Sequence, residues 1–139
     1  MSNNHKQVLE HYTRVRRQEL ISEIIEKIGN QVQTGPYKGM TVLPSSNWGD
    51  GDAIPKMLGV YEQELHSALE TIISAKPSVM VNVGCAEGFY AVGFAMRSPV
   101  TRVIAIDINT KTLEIAGQNA LANQLTNVEL GDSCTADNL

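Results

Sequence analysis

The sequence predicts an α/β fold built on a parallel β-sheet, and three observations carry that expectation. First, three short apolar runs rich in β-branched residues occupy the C-terminal half, at Val79–Val83, 102–106 and 127–130. Second, segments of helical period separate them, as in strand–helix–strand units, whose crossovers place successive strands parallel. Third, each run opens into a loop of small or acidic residues. These are Gly84-Cys85-Ala86-Glu87-Gly88 after the first, Asp107 after the second and Gly131-Asp132-Ser133 after the third.

The elements follow in order. Val8, Tyr12, Val15, Leu20, Ile21, Ile24, Ile25 and Ile28 recur largely at three- and four-residue steps, which predicts a helix over 5–29 closed by Gly29-Asn30. Arg14, Arg16 and Arg17 on it are expected to form a solvated face balanced by Glu10 and Glu19. Residues 32–43 place two β-prone runs around Gly35-Pro36 and Gly39, the pattern of a hairpin. Residues 44–52 have loop composition. Their Asp50 and Asp52 lack the other ligand positions and the closing glutamate of a calcium loop, so no metal site is expected.

A helix entered near Pro55 should bury Leu58, Tyr61, Leu65, Ala68, Leu69, Ile72 and Ile73, and end at Lys76-Pro77. His66 falls on its flank, a surface position. After the first strand, Ala91, Gly93 and Ala95 allow the next helix to lie close to a sheet. Thr110 is the expected cap of a helix to about Asn123 that turns Leu113, Ala116, Ala120 and Leu121 inward.

Composition narrows the classes of function. The chain has 139 residues, 42% hydrophobic and 19% charged, with a net charge of −4. That is one domain's worth of ordinary globular protein, with no signal for general nucleic-acid binding. No apolar run reaches the roughly 18 residues of a membrane span. The charged N-terminus differs from a secretory signal, and Cys85 and Cys134 form no C-x-x-C pair. Free thiols and a cytoplasmic location are expected.

The loops carry the chemistry. Small residues after a strand let a ligand approach the backbone, and a carboxylate after the next strand can accept bonds from two ribose hydroxyls. One strand–helix–strand step of roughly 20 residues separates Gly84 from Asp107. A dinucleotide fingerprint G-x-G-x-x-G from Gly84 would need glycine at 86 and 89, where Ala86 and Phe89 stand. A nicotinamide-dependent oxidoreductase is therefore disfavoured.

Gly84-x-x-x-Gly88 instead resembles motif I, (D/E)-x-G-x-(G/A)-x-G, of the class I S-adenosylmethionine-dependent methyltransferases. Asn82 stands where that family most often has an acidic residue. Asp107 matches its ribose-binding acid, and Asp132 matches the polar residue that meets the adenine amino group. The resemblance spans about residues 78–133. Residues 35–40 and 55–65 are also similar to segments preceding motif I in FkbM-like methyltransferases, where a tyrosine–glutamate pair, here Tyr61-Glu62, occupies the approach helix.

The resemblance implies a Rossmann-like parallel sheet, strand order 3-2-1, with N-terminal helices and a hairpin. Residues 1–77 would form the helical and hairpin region, and 78–139 the N-terminal half of the Rossmann-like domain. The C-terminal half of that sheet, which builds the acceptor pocket, would be absent, as in a chain truncated after the third strand. The first strand would then be an open edge, inviting self-association unless the hairpin covers it. Asn82, Gly84, Cys85, Ala86, Glu87, Gly88, Asp107, Ile108 and Asp132 are the implied cofactor contacts, with S-adenosylmethionine as the cofactor and a small molecule or sugar as the methyl acceptor. Glu87 is either a partial replacement for the charge Asn82 lacks or a solvated carboxylate at a helix start. Cys85 reads as a loop filler and not a nucleophile. No catalytic residue can be named. The competing expectation is a non-catalytic remnant that binds the cofactor or a partner without turnover.

Overall fold

The computed structural model describes residues 3–43 and 52–134. Residues 44–51 of the loop expected at 44–52, Asp50 among them, lie outside the described residues. The elements run α1 (Asn3–Ile28), α2 (Ala53–Leu58), a 3-10 turn (Gln63–Leu65), α3 (His66–Ala75), β1 (Val79–Val83), α4 (Phe89–Arg97), β2 (Arg102–Ile106), α5 (Thr110–Ala122) and β3 (Val128–Gly131). The three strands form one parallel sheet in the order β1-β2-β3. Val81 pairs with Ile104, and Ile104 with Glu129.

Strand alternation divides the sheet into two unlike faces. Met80, Asn82, Val103, Ala105 and Val128 share one face. The single apolar core joins most of that face to residues of all five helices, including Met57, Ile73, Phe94 and Leu113. Small residues on α4 and at its N-cap make this possible: a Cβ on Gly93 would lie 2.4 Å from the Tyr37 ring, and one on Gly88 2.9 Å from Ala116 Cβ. The helices that follow Gly88 and Asp107 therefore pack on the same side, as right-handed crossovers require. The other face carries Val79, Val81, Val83, Ile104 and Ile106. The two isoleucines are buried yet lie outside the core, and the three valines are 38%, 40% and 66% exposed.

Three expectations change. The hairpin is reduced to one antiparallel bridge between Gln31 and Thr41, with Val32 N–H donating to the Met40 carbonyl and Gly39 N–H to that of Val32. Its position is fixed from outside: Asn123 exchanges two hydrogen bonds with the Thr41 backbone, and Asn119 Oδ1 accepts from Leu43 N–H. The continuous helix from Pro55 is broken into α2, the 3-10 turn and α3. Gly59 adopts φ 78 at the end of α2, against the Thr34 backbone. Leu58, Leu65 and Ile72 face solvent, as do Leu121 on α5 and the N-terminal half of the apolar stripe of α1, Val8, Tyr12, Val15 and Leu20. Asn109, and not Thr110, caps α5, its side chain accepting from Lys111 N–H at 3.1 Å.

Candidate functional site

The loops after β1, β2 and β3 meet at the carboxyl ends of the strands, where ligands of open parallel sheets bind. The first loop is built by doubling its N–H groups on one acceptor. Gly84 N–H and Cys85 N–H both donate to the Ile106 carbonyl, at 2.7 and 2.9 Å. Gly84 (φ 74), Ala86 (φ 47) and Gly88 (φ 85) all take left-handed conformations, and Gly88 N–H closes the turn on the Cys85 carbonyl. A Cβ added to Gly84 would meet nothing within 4 Å, so the backbone there faces open space. Gly88 differs, because contact with α5 alone requires it to be small.

Asp107 joins the three loops. Its Oδ2 accepts from Ala86 N–H at 2.8 Å and its Oδ1 from Asn109 N–H at 2.9 Å, while its own N–H donates to the Gly131 carbonyl at 3.1 Å. A carboxylate oxygen has two lone-pair sites, so each oxygen retains acceptor capacity. Ile108 beside it is 91% exposed, and Asp132, held by the Ser133 hydroxyl, is also exposed. Gly84, Asp107, Ile108 and Asp132 are thereby brought to one open ledge.

The remaining implied contacts have other surroundings. Asn82 is half-buried on the helix-packed face of β1, and among the described residues its buried Oδ1 has no hydrogen-bond partner. Cys85 is buried, its thiol directed at the Ala86 carbonyl 3.6 Å away. Burial, and secondarily Asp107, push that thiol up to about 11, so it stays protonated at neutral pH.

Glu87 is not the solvated carboxylate that was one expectation. Its Oε1 lies 2.6 Å from Lys56 Nζ in a buried ion pair. Tyr61 and Glu62 flank this pair. The Tyr61 ring packs edge-on to Phe89, and the Glu62 carboxylate accepts a bond from the Tyr90 hydroxyl. Burial and the neighbouring Glu62 raise the Tyr61 phenol to about 12 and move Tyr90 in the same direction. His66, half-buried, places Nε2 3.0 Å from the Tyr61 carbonyl.

Lys56, Tyr90 and Asn119 were not singled out by sequence reasoning as parts of this region. The available signal was the Asn119/Asn123 pair, four residues apart on an otherwise apolar helix face. A lysine and a glutamate 31 positions apart offer no such pattern. The chain matches no protein-family model and no curated protein sequence. Among the described residues, no helix is long and apolar enough to cross a membrane.

Proposed function

We propose that the carboxyl edge of this sheet binds S-adenosylmethionine, and that the chain is the cofactor-binding part of a methyltransferase with a Rossmann-like sheet. The observation that carries this reading is Asp107 holding the glycine loop by Ala86 N–H while keeping acceptor capacity toward the open ledge. That is the placement a ribose diol requires, and the space over Gly84 allows close approach of the ligand to the backbone. The unpartnered Asn82 oxygen suits an N–H donor such as the ammonium of the cofactor's methionine portion. Exposed Asp132 stands at the third loop, where a polar group can meet the adenine.

The cofactor, when bound, supplies an electrophilic methyl on a sulfonium sulfur. The chain's own residues would bind and orient it, since alignment and exclusion of water are the protein's main tasks in such a transfer. By resemblance, the acceptor is an oxygen of a small molecule or sugar. A second reading, cofactor binding without turnover, is favoured by Asn82, which offers the ammonium no negative charge.

Isothermal titration with S-adenosylhomocysteine and with NAD tests the site. Binding of the first alone is expected, and NAD binding of equal strength would overturn the proposal. Transfer of labelled methyl to a hydroxylated acceptor then separates the two readings.

A further inference from the structure

Among the described residues, the segment from α2 to the 3-10 turn makes two polar side-chain contacts here, one with the loop between β1 and α4 and one with the first turn of α4. One is the ion pair of Lys56 with Glu87, whose residues are only 7% and 3% exposed. The Lys56 Nζ also stands 4.8 Å from the centre of the Tyr61 ring and 5.5 Å from that of Phe89, cation–π distances that confine it. The other contact runs from the Tyr90 hydroxyl to Glu62.

Glu87 lies between left-handed Ala86 and left-handed Gly88. For alanine that conformation is sterically disfavoured, so contacts outside the loop must hold its shape. Beside the bonds of Gly84 and Cys85 N–H to the Ile106 carbonyl, Asp107 accepts from Ala86 N–H, Asn119 Nδ2 donates to the Glu87 carbonyl at 3.0 Å, and Lys56 pairs with the Glu87 carboxylate.

We infer that Lys56 is a positioning residue for the ligand loop. By pinning Glu87 it keeps residues 84–88 in the one shape that leaves the space over Gly84 open and Ala86 N–H on Asp107. A buried ion pair adds little net stability over an apolar pair of the same shape, because desolvation offsets the attraction. What it supplies here is a single loop conformation present before the ligand arrives, which lowers the ordering cost of binding. The nature of the ligand rests on the function proposed above; the effect on the loop rests on geometry alone.

Lys56→Met by itself leaves a buried carboxylate unpaired and can unfold the chain. The informative variant is Lys56→Met/Glu87→Gln, which removes both charges, with Lys56→Arg as the conservative control. Residue-resolved amide hydrogen exchange reads the loop at Ala86 and the core at 103–106, and titration with S-adenosylhomocysteine reads the site. In the double variant, core amides should stay within about threefold of the parent while Ala86 exchanges about tenfold faster or more. S-adenosylhomocysteine should weaken by about tenfold or more in the same variant. Lys56→Arg should retain both protection and affinity. Parent-like protection of Ala86 in the double variant overturns the inference, and so does an equal loss of protection at 103–106, which would make the pair a support of the whole fold. If the parent binds no S-adenosylhomocysteine, the ligand reading fails, and the Ala86 exchange alone decides the role of Lys56.

Discussion

Three side chains set the behaviour expected at the scale of single residues. Asp107 serves the ledge and the fold together, since one oxygen holds Ala86 N–H of the neighbouring loop and the other Asn109 N–H of its own. Asp107→Ala should cost on the order of 1–3 kcal/mol of S-adenosylhomocysteine binding, and should also lower stability in urea denaturation. Asp107→Asn keeps an oxygen for one of the two N–H groups and should fall between alanine and the parent on both readouts. Undiminished binding in Asp107→Ala would remove the ribose assignment.

The second case is alkaline pH. Burial raises the Cys85 thiol from 9.0 to about 11 and the Tyr61 phenol from 10.0 to about 12. Because the native state holds these protons more tightly than the unfolded chain, their contribution is complete below the ordinary values and is lost as pH climbs through the raised ones. Urea midpoints should therefore fall steadily from about pH 9 to 12, and less steeply in Tyr61→Phe. An unchanged slope in that variant would show that Tyr61 is not among the linked groups.

At the scale of elements, the break between α2 and α3 is the informative feature. The apolar spacing through 58–73 is helical, yet the chain turns at Gly59 because Thr34 and Gly35 pack against it and leave no room for a Cβ. Gly59→Ala combines a left-handed alanine with a collision against backbone, and should destabilise by about 2–4 kcal/mol. Gly39 shares the left-handed conformation (φ 87) but a Cβ there meets nothing. Gly39→Ala should cost only about 1–2 kcal/mol. Chemical denaturation of the two variants measures the difference, and equal losses would show that close packing at Gly59 contributes nothing.

For the whole molecule, the decisive feature is the edge of the sheet. The Ser78 carbonyl accepts from Arg102 N–H, and Gly84 N–H donates to the Ile106 carbonyl. Even-numbered residues of β1 thus bond to β2, and the N–H and C=O groups of Val79, Val81 and Val83 face outward. With exposed β-branched side chains, no charge along it and no strand paired to it among the described residues, this edge is a template for pairing. The isolated chain should self-associate as its concentration rises, and Val81→Lys should shift it toward monomer on size-exclusion chromatography with light scattering. A parent that stays monomeric throughout would show that the edge is protected.

The residues by themselves determined the three strands and the second crossover helix to within a residue or so at their ends, and the start of the helix after Gly88. Their signals are local: β-branched runs, helical period and turns placed between them. The order of the candidate loops was legible for the same reason, as was the openness at Gly84. Tertiary structure alone decided which apolar stripes were buried. Leu121, Ile72 and the outer face of α1 have the same spacing as buried positions, and periodicity records that a face exists, not whether a partner covers it. The split of the approach helix at Gly59 and the reduction of the hairpin to one bridge depend on contacts between segments distant in sequence. So does the pairing of Lys56 with Glu87, because burial of two opposite charges is settled only when folding brings them together.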